Sequence, residues 1–148
     1  MDVTLRQARE SDIPFLQLLR NMTMNHYLTV SGIATDETSH LDRIRYHFDD
    51  AKIVYSEDNR IGLFKFYFDG SGWHIVQIQI LPEYQGKGIG AKLLTEIQKL
   101  ANDNQHNVKL SVLKSNPAKK LYQKLRFTVV AESDNELTML YEPIKNSV

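Results

Sequence analysis

The segment that most constrains this chain is Gln85-Gly86-Lys87-Gly88-Ile89-Gly90. It stands between a strand pattern and a helix pattern. Before it, Val76, Ile78 and Ile80 alternate with Gln77 and Gln79, and Pro82 ends the run. After it, Ile89, Leu93, Ile97, Leu100 and Ala101 recur at helical spacing, which predicts a core-facing helix to about Asn104. Glycine between two such elements allows positive φ and lets the backbone approach a ligand with no side chain in the way. The first N–H groups of the following helix lack intrahelical partners and lie at the positive end of its dipole. Such a corner binds phosphate. Lys87 and Lys92 add positive charge beside it.

Two common phosphate motifs do not fit. A Walker A loop needs Gly-x-x-x-x-Gly-Lys-Ser/Thr, which is absent. Gly86, Gly88 and Ala91 match the dinucleotide fingerprint. However, the next strand pattern, Val108–Leu113, runs into Lys114-Ser115 with no acid for a ribose, and only 58 residues follow Gly90.

The charge balance agrees with a local polyanion site. The chain is neutral overall, yet residues 85–126 carry nine basic residues and two acids. A small polyphosphate suits such a patch better than a nucleic acid, whose binders are usually basic throughout. With 148 residues the chain has the length of a single domain. It has no cysteine, hence no disulfide or thiolate chemistry. Its five histidines show no His-Glu-x-x-His spacing, so no metal site is expected. Met1–Glu10 is polar and unlike a signal peptide, and no apolar run approaches the roughly 20 residues of a membrane span, which predicts a cytoplasmic protein with no membrane partner.

The remaining pattern predicts a strand over Val3–Ala8 and a helix from Asp12 to Asn25 with Phe15, Leu18, Leu19 and Met22 as its stripe. A loop is expected over His26–Thr35, then a helix capped by Thr35-Asp36 with Leu41, Ile44 and Phe48 on one face. A hairpin is expected from Lys52–Ser56 and Ile61–Phe68, and a strand over Trp73–Leu81. Asn116-Pro117 opens a helix whose stripe is Ala118, Leu121, Tyr122 and Leu125, and strands follow at Phe127–Ala131 and Leu137–Tyr141. Separated β and α runs with a β-α-β crossover predict an α/β (α+β) chain: one domain over residues 1–148, with a mixed, mostly antiparallel sheet and helices on both faces.

At two places the chain resembles the GNAT superfamily of N-acetyltransferases. Gln85-x-x-Gly88-x-Gly90, preceded by Leu81-Pro82-Glu83-Tyr84, is similar to the family's pyrophosphate motif. Asn116-Pro117-Ala118-Lys119-Lys120-Leu121-Tyr122-Gln123-Lys124-Leu125-Arg126-Phe127 resembles its second motif, except that Arg126 stands where glycine is usual. The two lie 31 residues apart, as in the family. The resemblance implies a GNAT-like fold and acetyl-CoA as co-substrate, without a metal. It implies that Gln85, Gly86, Lys87, Gly88, Ile89, Gly90 and Asn116 contact the coenzyme. The strand before the motif would supply backbone groups, with Ile78 N–H toward the thioester carbonyl and Gln79 and Ile80 along the pantetheine arm. Tyr122 would be the acid that protonates the leaving thiol, since a phenol stays protonated at neutral pH.

The family's acceptor wall implies His26, Tyr27, Glu37 and His40 as substrate contacts. For the general base the residues leave His74, Glu83, His26, His40 and Glu37 open. The expected reaction is acetyl transfer to the primary amine of a small molecule by direct attack. Transfer to a protein N-terminus or lysine, and a non-catalytic acyl-CoA-binding module, are the alternatives. Homodimers are common among relatives.

Overall fold

In the computed structural model, which describes residues 2–145, seven strands form one sheet in the order β1-β2-β3-β4-β5-β7-β6. They are β1 Thr4–Gln7, β2 Ala51–Ser56, β3 Asn59–Phe68, β4 Gly72–Ile80, β5 Asn107–Leu113, β6 Thr128–Glu132 and β7 Glu136–Tyr141. The helices are α1 Ile13–Val30, α2 Glu37–Arg45, α3 Ile89–Asn104 and α4 Lys119–Lys124. The sheet is mixed: β4 pairs with β5 in parallel from Gly72–Ile75 against Asn107–Leu110, whereas β1–β2, β2–β3, β5–β7 and β6–β7 are antiparallel.

The chain divides into two compact units. One takes the chain up to Lys65 together with Gln77–Gly90; the other takes Phe66–Val76 and the chain from Ala91 onward.

In the first unit, Ile13, Leu16 and Leu19 of α1 and Ile44 of α2 pack with Ala51 and Ile53 of β2 and Leu63 of β3. This differs from the predicted stripe. Leu19 is buried as expected, but Leu18 and Met22 are each 53% exposed, and Arg20 takes the inward position beside Leu16 and Leu19. Helical spacing alone does not choose between two adjacent stripes when apolar residues occupy both.

The expected loop at His26 is also corrected, because α1 runs on to Val30. It ends in a Schellman arrangement: Gly32, at φ 72°, donates to Thr29 O, and Ile33 donates to Leu28 O at 2.9 Å. At the other end Asp12 makes no side-chain bond that caps α1. Its carboxylate takes Arg9 N–H at 2.8 Å and Arg60 Nη1 at 3.1 Å. Asp36 caps α2 through Ser39 N–H, as its position predicts.

Gly62 sits where β3 passes the end of β4. A Cβ there would lie 2.4 Å from Gln79 O and 2.8 Å from Ile80 Cδ1. Only a residue without a side chain admits this approach.

In the second unit, Leu93, Leu94, Ile97 and Ala101 of α3 are buried. Leu100, placed on the core face by the pattern, is 47% exposed. Asn102 ties the chain after β7 to α3, accepting from Tyr141 Oη at 3.0 Å and Ile144 N–H at 2.9 Å.

Candidate functional site

In the first unit the strand–turn–helix corner forms as the glycines predict. Pro82–Tyr84 make a 3-10 turn after β4, and α3 begins at Ile89. Gly86 and Gly88 adopt φ 76° and 81°, and a Cβ at either would meet nothing within 4 Å. Their requirement for glycine is therefore conformational, and the space over them is open. Gly86, Lys87 and Gly88 are exposed, whereas Ile89 is 3% exposed and anchors the helix start. Ile89 can thus offer a ligand only its backbone. Gln85 stitches the corner together: its Nε2 donates to Ile80 O at 2.9 Å. These are the features a diphosphate requires, namely bare left-handed backbone, unpaired N–H groups at a helix start and flanking lysines.

The edge of β4 is set by alternation along the strand. Leu81 N–H donates to Ile61 O of β3 at 2.8 Å, so the backbone groups of Ile80 and Ile78 point to the opposite edge. Both residues lie beyond the Gly72–Ile75 ladder to β5. Gln79 has the other parity, so its backbone faces β3.

Beneath α1 and α2 lies a buried polar group that the sequence pattern does not reveal. Lys65 is fully buried, and its Nζ donates to the carbonyls of Arg43, Ile44 and Tyr46, the first two at 3.2 and 2.9 Å. Burial pulls this lysine down to about 8. Three carbonyl acceptors match the three N–H groups of an ammonium, so it is charged at neutral pH. Gln77 Nε2 reaches Arg43 O at 3.4 Å, and the buried Oε1 atoms of Gln77 and Gln79 have no partner. The one signal in the sequence is Lys65 itself, a lysine inside the apolar run Ile61–Phe68.

Arg20 and His40 complete the group. Arg20 Nε donates to His40 Nδ1 at 3.0 Å, and His40 Nε2 lies 2.6 Å from Asn25 Oδ1. Arginine can only donate, so His40 carries its proton on Nε2 and gives it to Asn25. Asn25 Nδ2 in turn donates to Asn21 Oδ1 at 3.1 Å. Burial, then the charge of Arg20, lower the His40 pKa against a raising effect of Asp36. With both nitrogens engaged, His40 has no lone pair for base catalysis.

Gln17, Asn21, Glu37 and His40 line a cavity of about 190 Å³. Of the four predicted acceptor contacts, the fold brings Glu37 and His40 to this cavity. His26 and Tyr27 do not line it; their rings meet edge to face at 5.4 Å. Of the other base candidates, Glu83 is exposed in the 3-10 turn. His74 lies in the second unit, stacked on Tyr67 and bonded to Asp69 at 2.6 Å. Asp69, helped by this bond and the N–H groups of Ser71 and Gly72, is held down to about 2.

Also in the second unit, Tyr122 is 7% exposed, and burial pushes its phenol up to about 12. Its ring packs against the residue that follows the end of α4. Arg126 adopts φ 73°, Arg126 N–H donates to Gln123 O, and Phe127 N–H donates to Tyr122 O at 3.0 Å. This is again a Schellman end, with the Tyr122 and Phe127 rings 6.0 Å apart. The position therefore demands the left-handed backbone that glycine adopts readily. Asn116 Oδ1 accepts from Ala118 N–H at 2.9 Å and so turns the chain into α4. Among the described residues there is no metal-binding cluster of His, Cys, Asp and Glu, and no helix is long and apolar enough to cross a membrane.

A mixed sheet with a glycine-rich strand-to-helix corner is compatible with a coenzyme A-dependent acyltransferase. The sequence model of the acetyltransferase (GNAT) domain matches residues 48–129, more than half of the chain, and the chain belongs to that family. It is an acetyl-CoA-dependent N-acetyltransferase.

A mouse protein named thialysine N-ε-acetyltransferase is 26% identical, over 93% of this chain and 91% of its own length. The fold is shared with solved structures. The PaiA N-acetyltransferase of Thermoplasma acidophilum, in complex with coenzyme A, superposes with a TM-score of 0.72 at 18% identity, covering 96% of this chain and 99% of that one. An acetyltransferase of Thermus thermophilus gives 0.76 at 16% identity, covering 96% and 97%. Arabidopsis thaliana Naa50, in complex with a bisubstrate analogue, gives 0.66 at 18% identity, covering 96% and 99%.

Proposed function

We propose that this enzyme acetylates the primary amine of a small molecule. The observation that carries this reading is the cavity of about 190 Å³ lined by Gln17, Asn21, Glu37 and His40. It is smaller than the roughly 300–1,000 Å³ of sites for drug-sized ligands, and three of its four walls are polar amide or carboxylate groups. Such a space suits a short polar amine better than an extended peptide. The mouse relative, whose name gives thialysine as its acceptor, supports the same choice.

The coenzyme supplies the acetyl group as an activated thioester. The chain's part is to hold and polarise it. The N–H groups of Gly86 to Gly90, with Lys87, hold the diphosphate, and Gln85 fixes the corner through Ile80 O. The backbone groups of Ile78 and Ile80, on the edge of β4 away from β3, serve the thioester carbonyl and the pantetheine amides. A fixed N–H aimed at developing negative charge is a sizeable catalytic contribution. Gln79 contributes by packing, since its backbone faces β3. Asn116 contributes through the start of α4. Tyr122, protonated at neutral pH, gives its proton to the departing thiolate. With His40 engaged, the acceptor's proton leaves through Glu37 or water.

The test is a screen of amines and short peptides that follows release of free thiol from acetyl-CoA. Release with a small amine and none with peptides is expected. Release with peptides alone refutes the small-molecule reading, and coenzyme binding with no release for any acceptor refutes catalysis. In the same assay Tyr122→Phe lowers kcat about 100-fold or more, the usual range for losing a general acid, and leaves the KM for acetyl-CoA nearly unchanged. An undiminished kcat removes Tyr122 from the reaction.

A further inference from the structure

One buried charge in the first unit has no counter-ion. Arg20 is 3% exposed, and among the described residues no carboxylate stands within ion-pair distance of its guanidinium. Its Nε donates to the neutral ring of His40. The Nη1 and Nη2 ends, with four N–H groups, make no hydrogen bond to a described residue. Elsewhere the same unit treats buried charge differently. Asp12 is matched by Arg60 and by Arg9 N–H. Lys65 is ringed by the carbonyls that end α2, the negative pole of that helix.

The cations around Arg20 make its isolation worse. Burial and then the charge of Arg43 pull it down to about 10, and Lys65 feels both arginines. A cation so largely withdrawn from water gains from an anion, and its Nη1 and Nη2 atoms are not sealed off but still touch solvent. A strut for His40 needs one N–H; this residue brings four more.

We propose that Arg20 is the carboxylate anchor of the acceptor site, so that the acceptor is an amine that also carries a carboxylate, as an amino acid does. This deepens the small-molecule reading above and rests on it. The Nη1/Nη2 end is a planar fork that matches two carboxylate oxygens, a geometry lysine cannot offer. The bonded series Arg20–His40–Asn25–Asn21 joins the anchor to the cavity wall, since His40 and Asn21 both line it. Glu37, on the same wall, supplies the opposite charge for an ammonium. Together they suit a zwitterion, with one charged group for each end.

The experiment titrates the CoA-loaded protein by calorimetry with the common amino acids and with the decarboxylated amine of each, lysine against pentane-1,5-diamine for example. At least one amino acid is expected to bind about 100-fold or more tightly than its amine, as a desolvated, bidentate charge pair allows. Arg20→Gln should erase that advantage, costing the amino acid far more affinity than the bare amine and leaving the affinity for CoA unchanged, and Arg20→Lys should restore only part of it. Equal binding of acids and amines by the wild type overturns the proposal, as does an equal loss for both partners in Arg20→Gln, or no binding by any amino acid. The wild-type comparison needs no variant, so it decides even if Arg20→Gln does not fold. Turnover of small amines that lack a carboxylate as efficiently as of amino acids sinks the Arg20 assignment alone; turnover confined to peptides sinks the small-molecule reading itself.

Discussion

The corner at Gln85–Gly90 and the buried polar group under α1 and α2 belong to the same unit, yet they face opposite demands. The corner offers backbone, so its work is done by residues that get out of the way: two glycines at φ 76° and 81° with open space above them. The polar group offers side chains in a nearly dry setting, where Lys65 is 0% and His40 2% exposed. The first can lose a contact and stay folded. The second cannot lose a partner without stranding another. A ligand site made of main chain asks little of folding and is marked by residue type. One made of buried charge is tied to stability and is marked only by who its neighbours are.

This contrast can be broken in three ways. Lys65→Met should have the largest effect. It orphans three carbonyls, and since an unsatisfied buried acceptor costs roughly 1–3 kcal/mol the loss should reach about 3 kcal/mol. Urea unfolding reads the loss; a change below about 1 kcal/mol, the level of an exposed ion pair, would show that the group is not under such constraint.

Gly88→Glu comes second and should act on the opposite quantity. It places a carboxylate on the phosphate corner and a side chain at φ 81°. Coenzyme affinity should fall about 100-fold, equivalent to about 2.7 kcal/mol, against a folding loss of only about 1–2 kcal/mol for the left-handed backbone. Calorimetry with CoA and a thermal melt separate the two, and unaltered affinity would move the diphosphate elsewhere.

The smallest effect is a pH dependence. His40 is held below its ordinary value of 6.5, first by burial and then by Arg20. The unfolded chain therefore takes up a proton before the folded one does. The stability this provides is complete above about pH 6.5 and drains away as the pH falls toward the lower folded-state value. Urea midpoints between about pH 7.5 and 5, a range that brackets histidine titration, should decline in the wild type and decline less in His40→Gln. Parallel declines in both proteins would assign the acid sensitivity to other groups.

Much of this architecture can be read in the sequence, for identifiable reasons. Alternation along β4, the cap at Asp36 and the glycines at 86 and 88 are local signals, and the structure follows them. What local signals do not carry are choices made by distant parts of the chain. Spacing makes residues 15, 18, 19 and 22 the core stripe of α1, but the packing selects 13, 16, 19 and 20 and so draws Arg20 inward. His26 to Val30 reads as a loop although the stop signal, Gly32, lies beyond it. Gln77 and Gln79 read as the wet face of a strand, yet both are buried, with α2 reaching Gln77 through Arg43 O. The insertion of β7 between β5 and β6 depends on long-range pairing that no local pattern records.

Arg126 carries a consequence for the second unit. A side chain in the left-handed region is unfavourable by roughly 1–2 kcal/mol, so α4 stops where its own residue types would not choose to stop. The halt is imposed from outside, by Phe127, which is 1% exposed and wedged between the rings of Tyr122 and Tyr141. The Tyr122 ring thus packs against the very residue that halts its helix, so the stop of α4 and the burial of that phenol are one arrangement, and truncating Phe127 loosens both.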